Sequence, residues 1–231
     1  MPAILASALL VLWIWVSSQS LDSIERRRAN LSFIRAATLQ HISLTVTSTL
    51  IVLAIAIPVG IMLSRPWARN ITPPAIAVFN IGVAVPSIGL LTLFALIWDI
   101  GFWPAVAALV AYAALPVLRN TMVGLQQVDE AVIESARGMG MSKWAVLGRI
   151  ELPLAVPVML AGIRTALVIN VGSAALATFI GAGGLGSILV TGISQNRQLL
   201  TIVGAVLIAV LALLIDYLAG LAEDALRPRG L

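Results

Sequence analysis

The chain has 231 residues, of which 60% are hydrophobic and only 10% charged, and its mean hydropathy is +1.05; this excludes a soluble domain and predicts an all-α polytopic membrane protein. The net charge of +4 does not make a nucleic-acid binder, because the Lys and Arg residues fall between apolar runs instead of forming one basic face. With no cysteine and a single histidine, His41, which reads as interfacial at the edge of an apolar run, there is no disulfide framework, no thiolate metal site, no cysteine nucleophile and no basis for a histidine metal site.

Met1 to Leu21 is uncharged and long enough to cross a hydrocarbon core of about 30 Å. It reads as an uncleaved first span: a signal peptide would need a basic n-region, and Ser17-Ser18-Gln19-Ser20 is a poor cleavage site. Residues 22–41 form an external connector with the run Arg26-Arg27-Arg28, and Leu31 to Leu39 reads as a short interfacial helix. Ile42 to Leu63 is the second span, followed by a basic loop with Arg65 and Arg69. Ala75 to Trp98 is the third, kinked where Pro86-Ser87 removes a backbone bond. Trp98 and Trp103 flank the turn Asp99-Ile100-Gly101 as an aromatic belt, and Phe102 to Leu118 is the fourth span.

Residues 126–153 are the main polar interruption in the C-terminal two-thirds of the chain and hold seven of the 24 charged residues. They read as two short helices around a glycine turn. Asp129 caps the first, and Gly138 suits its left-handed end. Ser142 caps the second, which runs until Pro153 breaks it. Leu154 to Ile180 is the fifth span, Gly181 to Asn196 a re-entrant or interfacial glycine-rich loop, Leu199 to Ile215 the sixth span, and Asp216 to Leu231 a charged tail. The domain reading is thus a first helix over 1–21, a connector over 22–41, a transmembrane domain over 42–221 and a cytoplasmic tail over 222–231.

Glu134-Ser135-Ala136, three residues, Gly140, nine residues, then Ile150-Glu151-Leu152-Pro153 resembles the EAA loop of ABC-importer permeases, with Ser135 for the family's first alanine. Pro116 to Thr121, Ala136 to Ser142 and Glu151 to Pro157 look like the osmoprotectant branch, whose members import glycine betaine, choline, carnitine or proline betaine. The resemblance implies the type I importer permease fold, about six transmembrane helices with a cytoplasmic coupling hairpin. It implies that Glu134, Ser135, Ala136, Gly138, Gly140, Met141, Trp144, Ile150, Leu152 and Pro153 meet an ABC ATPase dimer. It also implies a second permease chain, identical or homologous, an extracytoplasmic substrate-binding protein, and a bacterial or archaeal cytoplasmic membrane as location. No phosphate-binding Gly-x-x-x-x-Gly-Lys-Ser/Thr motif occurs, so no cofactor is expected on this chain, and ATP and Mg belong to the partner ATPase. Trp144 reads as an anchor for a groove in that partner, with a seat among lipid headgroups as the bland alternative. A methionine, phosphonate or sulfonate importer is the second reading, and a secondary transporter or a membrane scaffold lies further off.

A cytoplasmic hairpin would put both termini inside, with Arg65, Arg69, Arg119, Arg137, Lys143, Arg149, Arg227 and Arg229; the run at Arg26 to Arg28 then breaks the positive-inside rule. Gly181-Ala182-Gly183-Gly184-Leu185-Gly186 fits a dinucleotide fingerprint without its βαβ context. Close packing between spans explains the glycines better. The segment also resembles one in methionine and osmoprotectant permeases; that resemblance implies an outer gate or a docking edge for a binding protein at Gly181, Gly183, Gly184 and Gly186, weighed against simple packing. Arg164 is read as snorkelling or pairing with Asp216, ahead of a substrate role. Asn170 and Ser173 share one helix face and either line a path or bond to a neighbouring helix, and Asn80 and Ser87 are read the same way.

Overall fold

A segment that crosses hydrocarbon must satisfy its backbone N–H and C=O groups internally. The computed structural model, which describes residues 1–226, does so with helices and contains no strand among them. Helix α1 (Pro2–Ser17) starts on a proline that donates no backbone bond and ends where Ser18, Gln19 and Ser20 take over. At 16 residues it is ~24 Å long, shorter than the ~20-residue span read from Met1 to Leu21. Leu12, Trp15 and Val16 pack it against the last helix. Helix α2 (Ser23–Arg28) is held by a capping box between Asp22 and Glu25.

Helix α3 (Leu31–Leu63) corrects the separation of an interfacial helix from the second span. Asn30 accepts from Phe33 N to start it, and with no proline or glycine before Pro58 nothing interrupts it. Its 33 residues reach ~50 Å, well beyond a core of about 30 Å. The third span is broken more sharply than a kink. Helices α4 (Thr72–Ala84) and α5 (Ser87–Ile97) meet at 98°, because Pro86 has no N–H and holds Val85 extended. Helix α6 (Phe102–Gln126) continues past Leu118, so Arg119 lies within the helix and not at its end.

Helices α7 (Glu130–Gly138) and α8 (Lys143–Val146) form the hairpin. The break expected at Pro153 is absent. One turn of π-helix, Leu147–Glu151, leads into α9 (Leu152–Ala174), and 143–174 form one helix of 32 residues. Pro153 sits in the first turn of α9, where the wider π spacing has already removed the need for its missing N–H. Only the first part of the glycine-rich segment is loop, since α10 (Gly186–Ser194) is helical. Helix α11 (Gln198–Leu226) absorbs the first part of the expected tail, and Arg227 to Leu231 lie outside the described residues. Among the described residues, four helices are long and apolar enough to cross a membrane, and α4 with α5 makes a fifth if the pair crosses once.

Helix α6 lies between α3 and α9, joined by close approach of small residues as expected without a hydrophobic drive between helices. A Cβ on Gly162 would stand 2.5 Å from Asn120 Cβ and 2.9 Å from the Pro116 carbonyl, whereas one on Gly172 would meet nothing within 4 Å. Gly162→Ala is therefore expected to destabilise by about 1–3 kcal/mol through overpacking, with Gly172→Ala neutral or stabilising, in a comparison of thermal unfolding in detergent.

Candidate functional site

The hairpin is built from local rules. Asp129 accepts from Ala131 N at 2.9 Å to start α7, and Glu130 favours the positive end of the helix. Its far end is a Schellman turn: Met141 N donates to the Ala136 carbonyl at 3.2 Å and Gly140 N to the Arg137 carbonyl at 2.9 Å. The left-handed residue is Gly140, at φ 87°, and not Gly138, which ends the helix itself. This accounts for the three residues between Ala136 and Gly140, which are the third-last helical position and the left-handed cap. Two residues later Ser142 accepts from Ala145 N and starts α8.

Of the ten hairpin residues singled out, the structure buries Ala136 between the two short helices and leaves Glu134, Ser135, Gly138, Gly140 and Pro153 exposed. Met141, Ile150 and Leu152 are half-buried. Trp144 and Met139 are 81% and 77% exposed, the most exposed large apolar side chains of the hairpin. The root of the hairpin is anchored: Leu147 and Leu152 pack on Leu125, Ala155 and Met159. Glu151, only 6% exposed, is joined to Arg65 at 2.6 Å. Arg65 also donates to the Ile61 carbonyl, so one guanidinium ties the end of α3 to the π-turn. Sequence reading missed this pair; its one signal was a glutamate set between Ile150 and Leu152 at the mouth of an apolar run.

At the far end of α9, Gly181, Gly183 and Gly184 all have left-handed φ (75°, 78° and 89°), which only glycine adopts without strain. Thr178 donates to the Gly183 carbonyl, and Gly184 N donates to Gln40 Oε1 at 3.2 Å. Gly186 lies directly on the Ala175 carbonyl, leaving no room for a side chain. The loop is thus clamped on α3. His41, expected at an interface, is instead fully buried there, its Nε2 2.9 Å from the Val171 carbonyl. The first turns of α3 pack against α9 and the loop, which the apolar run alone did not reveal.

Three polar residues singled out in the spans, Arg164, Asn170 and Asn80, find partners. Arg164 donates to both carboxylate oxygens of Asp216, at 2.6 and 2.7 Å, and approaches Glu223 at 3.6 Å, fastening α9 to α11. Asn170 donates to Thr49 Oγ1 at 3.1 Å between buried faces of α9 and α3, and Ser173 is buried beside them. Asn80 accepts from Arg119 at 3.3 Å, and Ser87 begins α5 after the break. The end of the molecule opposite the hairpin holds a cavity of about 580 Å³ lined by Trp15, Glu25 and Arg197, where Arg197 pairs with Asp22.

Residues 53–228 match the family described as binding-protein-dependent transport system inner membrane component. The chain is 41% identical to the osmoprotectant import permease protein OsmY of Salmonella typhimurium, over 91% of this chain and 87% of that one. It is 39% identical to the carnitine transport permease protein OpuCD of Listeria monocytogenes, over 89% and 92%. It is 37% identical to the choline transport system permease protein OpuBB of Bacillus subtilis, over 84% and 88%. In fold it resembles the inward-facing MetNI methionine ABC transporter, with TM-score 0.76 and 24% identity over 90% of this chain and 100% of that one. It likewise resembles an amino acid ABC transporter solved with histidines, with TM-score 0.72 and 18% identity over 90% and 100%.

Removing one partner of a buried ion pair leaves the other charge uncompensated, at a cost on the order of 3 kcal/mol. Glu151→Ala is expected to destabilise by about that much, and the exchange Arg65→Glu with Glu151→Arg to recover more than half of it. A double-mutant cycle on unfolding in detergent checks this.

Proposed function

We propose that this chain, which belongs to the family of binding-protein-dependent transport system inner membrane components and is a permease subunit of the ABC-importer type, carries quaternary-amine osmoprotectants across a cytoplasmic membrane by ATP-driven alternating access. Two permease chains form the pathway. A loaded binding protein docks at the end that holds the Trp15–Arg197 cavity, and an ATPase dimer with its ATP and Mg grips the hairpins at the other. The substrate class follows from relatives named for osmoprotectants, carnitine and choline.

The observation that carries the mechanism is the exposure of Met139 and Trp144 on a hairpin whose second helix runs unbroken into α9. An aromatic side chain of this exposure, rimmed by charge, suits a groove in a partner protein. A push on Trp144 is delivered along one helix to the glycine-rich loop, while the Arg65–Glu151 pair draws α3 with it. A proton- or sodium-coupled transporter would use a free carboxylate within a span. Among the described residues, Asp216 in the middle of α11 is held by Arg164, and Glu151 by Arg65.

Gly140→Asp, strained at a left-handed position, and Trp144→Ala, which removes the anchor, are both expected to lower substrate-driven ATP hydrolysis and uptake at least tenfold in liposomes holding permease, ATPase and binding protein. Unchanged stimulation and uptake in both variants would reject the lever.

A further inference from the structure

Three arginines stand within or at the mouth of the apolar bundle and meet protein groups there, and two of them have carboxylates. Arg65 has Glu151, and Arg164 has Asp216 and Glu223. Arg119 differs. Its Nη2 donates to the amide oxygen of Asn80 at 3.3 Å, and among the described residues no carboxylate lies within 4.0 Å of it. Arg119 is exposed on the surface of this chain, yet it lies well away from the hairpin face along the bundle axis. It lies seven residues before the end of α6 at Gln126, ~10 Å in from the hairpin face at 1.5 Å per residue. Side chains tilt toward the start of their helix, so the guanidinium reaches further inward, to Asn80. Asn80 in turn is eight residues from the start of α4 at Thr72, ~12 Å by the same rise. The neighbouring outward surface of α4 is apolar, with Val78 and Ile81 both exposed.

A guanidinium at that depth is costly unless it meets a counter-charge or water. The backbone next to it points to water. One turn past Asn80 the span is broken at Val85–Pro86, where α4 and α5 diverge by 98°. Non-helical backbone at membrane depth is tolerated where it is buried in protein or lines a water-filled cavity. Pro86 is exposed, which favours the cavity. Arg119 has donors to spare, because a guanidinium carries five N–H groups in a planar fork matched to a carboxylate, and Asn80 engages one of its nitrogens.

We propose that Arg119, positioned by Asn80, is a binding site in the translocation pathway for the carboxylate of a zwitterionic quaternary amine. This rests on the importer reading and adds to it a division of substrates. Those with a carboxylate, such as carnitine, engage the fork on their way through, and a quaternary amino alcohol such as choline has no group for it.

The test is uptake of labelled glycine betaine by the complete complex of permease, ATPase and binding protein in liposomes. Wild type is expected to import it in an ATP-dependent way. Arg119→Gln is expected to lower that uptake at least tenfold while stimulation of ATP hydrolysis by the loaded binding protein stays within twofold. Arg119→Lys keeps the charge but not the fork; its expected result is a raised half-saturating concentration at an unchanged maximal rate. The site is overturned if Arg119→Gln imports glycine betaine at the wild-type rate. It is equally overturned if ATPase stimulation falls in step with uptake in both variants, the result expected if Arg119 pairs with the second permease chain, or if wild type imports choline and not glycine betaine. Absence of any ATP-dependent uptake of either compound by wild type overturns the importer reading instead.

Discussion

A charge or polar side chain drawn into an apolar layer is costly unless it meets a partner in protein or water, and the arrangement of these helices follows where the protein partners are. Arg164 with Asp216 fastens α11 to α9, Arg65 with Glu151 fastens α3 to the root of the hairpin, and Asn170 with Thr49 and His41 with the Val171 carbonyl join α3 to α9. Each bond links elements far apart in the chain, and α6 fills the space between α3 and α9 with small residues in close contact. Without hydrophobic drive between lipid-bathed helices, such polar ties and close approaches are what choose one packing over another.

The same ties join the hairpin to the spans. A proline after a short interfacial helix would ordinarily uncouple it from the span beyond. Here the π-turn Leu147–Glu151 accommodates Pro153 and keeps the helix continuous from Lys143 to Ala174. A π-turn widens the helix and is a local point of compliance, and this one is braced by the Arg65–Glu151 pair. The hairpin is therefore joined to two spans at once, α9 through the backbone and α3 through an ion pair. At the other end both converge on the glycine-rich loop, which Gln40 holds through the Gly184 amide.

Local features were legible in the sequence. The caps at Asp129 and Ser142 are set by neighbours within three residues, and the break at Pro86 by a proline with nothing to compensate it. The EAA spacing was legible as a resemblance, and its physical content emerged with the Schellman turn. Two glycines two residues apart, Gly138 and Gly140, could each have been the left-handed cap, and only the backbone path chooses Gly140. Pro153 was misjudged because a proline's effect depends on the turn before it. The length of α3 departs from the expectation because its more polar first third is held helical against neighbours in α9 and the glycine-rich loop. The pairs Arg65–Glu151 and Asn80–Arg119 span 86 and 39 residues of chain, and nothing in spacing or composition connects their members. His41 was misplaced for the same reason.

All of this assigns one side of the membrane to the hairpin. The chain has no cysteine, so Lys143→Cys introduces a single thiol on the exposed start of α8. Labelling of that thiol with a membrane-impermeant maleimide, in vesicles of defined orientation, reads the side directly. Labelling in inside-out vesicles, and none in right-side-out vesicles, is the expected result. Labelling confined to right-side-out vesicles would place the hairpin away from the ATP-bearing compartment and contradict coupling through Trp144.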